Sequence, residues 1–258
     1  MKKSFLISIA AISLLFSGCN YNKIVINTAK DLAGHTIGVQ KGTTGEKYVT
    51  ENVANAKIVS CRTLNDAAQE LIEGNVDAIV IDEYPAVKLV NETKNLMIIK
   101  DKSFEQNSEK YSIAVKKGNT ELLNSINETI QTIKANGKYE ELIQAFMMPE
   151  SGVEIPYIPV SESNKILKLG TNAQFAPFEY IIKKEVIGFD ISLGQYIAQK
   201  ENANLQIVDM NFAALFRALQ SESIDFAAAA ISVTPEREKE VDFSIPYFTS
   251  EQVIIIKK

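Results

Sequence analysis

Residues 64–82 read LNDAAQELIEGNVDAIVID. Leu64, Ala67, Ala68 and Leu71 recur at helical spacing, Gly74-Asn75 signals a turn, and Asp77 leads the unbroken apolar run 78–81 into Asp82. A strand that is apolar on both faces and follows a helix belongs in a parallel sheet covered on both sides. Residues 212–232, FAALFRALQSESIDFAAAAIS, repeat the layout: a helix, a Ser-Glu-Ser turn, then Asp225 leading a second apolar run. Aligning Asp77 with Asp225 places Asp82 opposite Ala230, with Ser232 two residues further on. These are the carboxyl ends of equivalent strands, the edge at which open α/β sheets bind ligands. The expectation is two α/β units whose carboxyl edges face each other across a cleft.

Each unit also has a strand that runs into a Gly-Thr loop, 36–39 into QKGTTGEKY and 166–169 into GTNAQF. In the first, Thr44 is placed to cap a helix over 46–53, leaving backbone N–H groups free for an anion, although an ordinary helix start accounts for the same composition. Residues 149–165, PESGVEIPYIPVSESNK, hold three prolines and no helical period, the composition of a linker. It divides a first block (20–148), ending in a helical region 120–147 broken at Asn136-Gly137, from a second block (165–258).

With 258 residues and 46% apolar content, the chain holds one large or two modest globular domains and is not largely disordered. Lys2-Lys3, the apolar run 5–16 and Ser17-Gly18 ahead of Cys19 form an export signal too short to span a membrane. Its removal takes the 27 basic residues to 25 against 32 acidic ones, about −7, which excludes nucleic acid as a partner. The one histidine, His35, lies in a turn, and there is no cysteine pair at ligand spacing, so neither a metal site nor a cofactor is expected. Cys61, in the apolar stretch 57–61, reads as a buried, inert thiol.

The second block carries GTNAQFAPFEY, VIGFDISLGQYIA, IDFAAAAISVTPEREKEVDFSIPYF and TSEQVIIIKK, and nearly throughout resembles the opening part of the amino-acid-binding proteins of ABC importers. The first block, with DLAGHTIGVQKGTTGEKY, NVDAIVIDEYPAV, YSIAVKKGN and NGKYEELIQAF, is similar to the remainder of the same proteins. The order is reversed, so the chain resembles a circular permutant, with 149–165 joining the ancestral termini. Those residues reach roughly 55 Å when extended, ample for that purpose. Permutation is tolerated where old termini lie close and new ends fall at exposed sites. The resemblance implies a two-lobed, type II periplasmic-binding-protein-like α/β fold with the ligand between lobes. The expected layout is a signal at 1–18, a tether at 19–27, one lobe at 28–108 and a hinge crossing at 109–117. The other lobe would hold 118–148 and 166–250, with 251–258 a hinge strand left by the cut second crossing. Ser-Gly-Cys19 resembles a lipobox, with Phe16 where leucine is usual, which implies lipidation of Cys19.

A free amino acid brings one carboxylate and one ammonium, and burying either unpaired costs several kcal/mol. From the residues alone, Arg237 reads as an exposed helix residue pairing with Glu236, Glu238 or Glu240, and Asp82 equally as a helix cap. The resemblance makes Arg237 the carboxylate binder, whose planar fork suits two oxygens, and Asp82 the ammonium partner. It adds the Ser232 hydroxyl, the Ala230 carbonyl and the Thr44 N–H, with Phe175 and Phe212 stacking on the ligand and Phe178 left to the core. Asn172 and Gln40, both neutral, would face the side chain, which implies a polar uncharged amino acid; Glu179 reaching the pocket would admit a basic one. Ser192, in GFDIS, is read as an exposed helix residue of little effect.

The implied function is capture of a free L-amino acid by hinge closure, as the lipid-anchored, monomeric, extracytoplasmic binding component of an ABC transporter that docks on permease subunits. An enzyme of the dehydratase type on the same fold is a rival; it would need Asp82 or Glu179 as general acid, with no histidine available. A receptor-like sensor is a second, and would call for a transmembrane helix and a signalling domain.

Overall fold

The computed structural model describes residues 25–105, 108–148 and 152–258; the expected signal and Cys19 lie outside them. After a 3₁₀ turn at Ala29–Leu32, the chain runs through β1 (Thr36–Gln40), α1 (Thr44–Asn52), β2 (Lys57–Cys61), α2 (Leu64–Glu73), β3 (Ala78–Asp82), α3 (Glu83–Glu92), β4 (Leu96–Ile99) and α4 (Lys102–Glu105). There follow β5 (Glu109–Tyr111), β6 (Ala114–Lys116), α5 (Thr120–Ala135) and α6 (Lys138–Met147). The second block supplies β7 (Ile166–Thr171), β8 (Gln174–Phe175), β9 (Glu179–Ile182), β10 (Glu185–Ile187), α7 (Phe189–Lys200), β11 (Asn204–Asp209), a 3₁₀ turn at Phe212–Ala214, α8 (Leu215–Gln220) and β12 (Phe226–Ala227). A 3₁₀ turn at Arg237–Lys239, β13 (Val241–Phe243), β14 (Phe248–Ser250) and β15 (Gln252–Lys257) end the chain.

Two five-stranded sheets, β2-β1-β3-β15-β4 and β11-β7-β12-β6-β13, share one plan. In each, a βαβ crossover places three parallel strands side by side, and a strand from the other part of the chain inserts antiparallel beside the third. That insert is β15 in one sheet and β6 in the other. The repeat extends to hydrogen bonds. The Asp77 N–H donates to the Thr36 carbonyl while Asp77 Oδ2 accepts the Thr36 N–H, and Asp225 makes the same exchange with Lys168. Each aspartate thus clips the start of the third parallel strand to the first.

Both sheets are covered on both faces, as apolar parallel strands require. The α2 residues Leu64, Ala67, Ala68 and Leu71 pack into one cluster with Ile79, Ile81, Phe178 and Phe189. On the opposite face of the first sheet lie Val49, Val80 and Ile254, joined by Ile26 near the start of the described chain. Leu215 and Leu219 of α8 cover the second sheet's other face. Gly137, at φ +84°, separates α5 from α6 as expected.

Several expectations shift. The hinge is a two-stranded ribbon of β5 and β14, pairing Tyr111 with Phe248 and Glu109 with Ser250, so both crossings are continuous and neither is cut. β6, expected within the hinge crossing, is an interior strand of the second sheet, and β15, expected as a hinge strand, is interior to the first. The apolar run after Asp225 forms only a two-residue strand, because Ala230 turns into the left-handed region (φ +46°) where its N–H meets the buried Asp190 carboxylate at 2.8 Å. Ser192 is buried rather than exposed, since the first turns of α7 are enclosed on every side. At α1 the cap is Thr43, whose hydroxyl accepts the Glu46 N–H; the Thr44 side chain turns elsewhere. Cys61 is a buried free thiol, and burial raises its pKa. Residues 152–165 form no helix or strand.

Candidate ligand cleft

The carboxyl ends of β1 and β3 in one lobe face those of β7 and β12 in the other, and between them lies a narrow cavity. All ten residues expected at a ligand site line it: Gln40, Thr44 and Asp82 from the first lobe, and Asn172, Phe175, Glu179, Phe212, Ala230, Ser232 and Arg237 from the second. Thr43 and Ala229 complete the lining. Positions 195 residues apart meet here, as where the Arg237 Nη2 donates to the Gly42 carbonyl at 2.9 Å.

Asp82 ends β3 and precedes α3, yet its carboxylate makes no capping bond. It instead accepts from the Tyr111 hydroxyl at 2.7 Å and from Gln252 Nε2 at 3.1 Å, and is buried. Burial, and then the nearby Glu109 carboxylate, push its pKa up to about 8.

Arg237 is half-buried and forms no ion pair with any described residue; Glu236 pairs with Lys47 across the lobes instead, at 2.8 Å. Its Nη1 donates to the Ser232 carbonyl at 2.6 Å, and its guanidinium carbon lies 5.3 Å and 5.4 Å from the ring centres of Phe212 and Phe216. Burial lowers its pKa. Two of its five N–H donors are engaged by main-chain carbonyls, leaving others for an incoming carboxylate. Phe212, expected to stack on a ligand, also carries the arginine.

Glu109 was not legible as a site residue. From the hinge ribbon, its Oε2 accepts from the Thr44 hydroxyl at 2.8 Å and from the Ser232 hydroxyl, one from each lobe, while Oε1 accepts from Gln252 Nε2 at 2.8 Å. Gln252 therefore ties together the two carboxylates Asp82 and Glu109. A lone Glu in an irregular, polar stretch gives no periodic signal; only the pairing of β5 with β14 carries it behind the cleft.

The other polar residues are bound among themselves. Gln40 Nε2 donates to Asn172 Oδ1 at 2.8 Å, a direct bond between lobes. Asn172 Nδ2 donates to the Met210 carbonyl at 2.8 Å. Glu179, opposite Phe175 in the β8–β9 pair, is fully buried. Burial, reinforced by Asp190, holds its pKa well above the usual carboxylate range. Asp190 in turn accepts from the Ala230 N–H and, at 2.7 Å, the Tyr247 hydroxyl; burial raises it to about 7. Phe178 packs edge-on against Tyr111 and Phe248 at 5.2 Å and 5.1 Å, in the core as expected.

Two α/β lobes joined by a hinge ribbon, with a polar cavity at their facing strand ends, define the periplasmic-binding-protein-like fold. Residues 167–258 match the model of the bacterial extracellular solute-binding proteins, family 3. Over 99 residues the chain is 40% identical to the arginine-binding extracellular protein ArtP of Bacillus subtilis, covering 38% of this chain and 39% of that one. Over 124 residues it is 32% identical to the L-cystine-binding protein TcyJ of Escherichia coli, covering 47% and 45%. A probable histidine-binding protein of Neisseria gonorrhoeae is 33% identical over 101 residues, 39% of this chain and 38% of the other. The chain thus matches less than half the length of these curated relatives. Among solved structures, the arginine-bound domain 1 from TmArgBP is 34% identical over 38% of this chain and 83% of that one, at a TM-score of 0.33. Among the described residues no helix is long and apolar enough to cross a membrane.

Proposed function

We propose that the cleft captures a free L-amino acid, for delivery to the permease subunits of an ABC importer. The observation that carries this is the convergence of Asp82 and Arg237, from opposite lobes, on one cavity. One is an acid able to hold an ammonium; the other is a cation with donors to spare and no ion-pair partner among the described residues. The relatives named for arginine, histidine and cystine support an amino acid as the ligand class.

Closure follows from the division of labour. The α-ammonium bonds to Asp82 in one lobe and the α-carboxylate to Arg237 and Ser232 in the other, so only the closed form satisfies both poles. Thr44, as the first residue of α1, directs an N–H without a helical partner toward the same carboxylate. The cross-lobe bonds Gln40–Asn172 and Arg237–Gly42 close with it. In this reading the chain is a permuted, monomeric binding protein held at a bacterial membrane by a lipid on Cys19.

A thermal-shift panel of the twenty amino acids, on the wild type and Arg237→Ala, tests the capture reading. Ligand at 100 times Kd adds about 2.7 kcal/mol of stability. Equal protection of both proteins refutes the carboxylate assignment.

A further inference from the structure

We propose that Glu109 is a latch for the cleft: from the hinge ribbon its carboxylate holds the two lobes together while the cavity is empty, so that the ligand-free chain rests closed. This rests on the two-lobed capture reading above and adds a regulation of the same site.

Glu109 belongs to β5, and β5 is fastened to the second lobe. The Val233 N–H donates to the Lys110 carbonyl at 3.1 Å, the Ser112 N–H donates to the Ile231 carbonyl at 2.9 Å, and Tyr111 bridges to Ser232. The Ser232 hydroxyl donates to Glu109 Oε2 and so orients the carboxylate from that lobe. The same oxygen reaches across to the first lobe, where it accepts from the Thr44 hydroxyl, at the start of α1, at 2.8 Å. Oε1 accepts from Gln252 Nε2 at 2.8 Å, and Gln252 is the partner of Asp82 in the pairing of β15 with β3. Gln252 follows β14 closely and lies at the pivot, so its bond changes little in a hinge rotation. Thr44 is carried away with α1, and its bond to Glu109 is the one that opening breaks.

The other bonds between the lobes are less suited to hold an empty cleft. Gln40–Asn172 joins two neutral amides, and Arg237–Gly42 engages the guanidinium that the ligand carboxylate claims. Lys47–Glu236 is exposed on both sides, where an ion pair contributes little. Glu109–Thr44 is charge-assisted and partly buried. Glu109 also stands outside the cavity lining, so an arriving ligand neither uses the carboxylate nor displaces it. Gln252 Nε2, shared by Glu109 and Asp82, offsets the repulsion between the two carboxylates that would otherwise oppose closure. A charge-assisted bond lost on opening favours the closed form by about tenfold. Entry of a ligand therefore waits for Thr44 to part from Glu109, and the same bond slows its release.

Small-angle X-ray scattering of the ligand-free chain tests this, with Glu109→Ala and Thr44→Val as variants. Valine keeps the branched shape and the main-chain N–H of Thr44 and replaces only the hydroxyl, so it decides the matter if Glu109→Ala fails to fold. The wild type is expected to have the same radius of gyration with and without a saturating mixture of the twenty amino acids. Each variant should shift the open-to-closed ratio about tenfold toward the open form, giving a larger radius when empty that returns to the wild-type value in the mixture. A residue that only stabilised the fold would lower the melting temperature and leave the radius unchanged. A wild type that contracts on adding the amino acids overturns the latch, as do two variants that stay as compact as the wild type when empty. If the variants are larger when empty but the mixture neither contracts them nor protects the wild type against heat, the latch stands and the capture reading fails.

Discussion

Capture of an ammonium at Asp82 should release a proton. In the ligand-free protein the Asp82 carboxyl, buried beside Glu109, has its pKa pushed up to about 8. At pH 7 the protonated form then outnumbers the carboxylate by about ten to one. An ammonium at the same carboxylate restores the ionised form, so binding expels about 0.9 proton from this site at pH 7. Below pH 8 the affinity falls about tenfold per pH unit, about 1.4 kcal/mol each. The sign for folding follows from the same shift: a carboxyl whose pKa is raised on folding adds stability that is fully present below about pH 4 and lost as pH rises toward 8. The slope is at most about 1.4 kcal/mol per pH unit for this group. Titration calorimetry at pH 7 in buffers of low and high ionisation enthalpy counts the protons directly. With an amino acid that binds, Asp82→Asn should lower that count by about one. An affinity that stays flat between pH 6 and 8, or an unchanged count in Asp82→Asn, would refute the reasoning.

Further expectations concern single residues. Arg237→Ala should weaken amino-acid binding by about 2–5 kcal/mol in calorimetry, because it leaves the ligand carboxylate buried without a cation. Glu109→Gln removes the negative neighbour of Asp82, so the pH midpoint of binding should move downward; an unmoved midpoint would mean that Glu109 does not act on Asp82. Gly188, at φ +141°, would place a Cβ 2.0 Å from the Phe178 carbonyl oxygen, so Gly188→Ala should cost roughly 3 kcal/mol in thermal unfolding. Limited proteolysis should cut first within 152–165, where Tyr157 is 85% exposed. The two fragments should stay associated on gel filtration, because Ile126 and Ile130 of α5 share a core with Leu193 and Ile197 of α7.

Much of the fold is local and so was open to inspection of the chain. The period-3.6 face of α2, the glycine that ends it and the apolar run of β3 are consequences of neighbours a few residues apart, and they form as expected. The repeat of that layout around Asp77 and Asp225 also predicts equivalent strand ends, and Asp82 and Ala230 do face one cavity. The choices between cap and ligand for Asp82, or surface and cleft for Arg237, depend instead on groups distant along the chain, up to 195 residues away. Gln252 draws the Asp82 side chain away from the helix end, and Phe212 with the Gly42 carbonyl holds the arginine in the cleft.

The amino-acid sequence by itself determined where strands and helices alternate, which residues cluster at strand ends and that two similar units exist. Periodicity and turn chemistry act along the chain, so they can be read from it. Only the tertiary structure decided that β15 and β6 exchange between the sheets and that Glu109, on the hinge ribbon, accepts from Thr44 and Ser232 behind the cleft. Strand pairing and the balance of donors against acceptors arise between residues distant in sequence, where no local pattern records them.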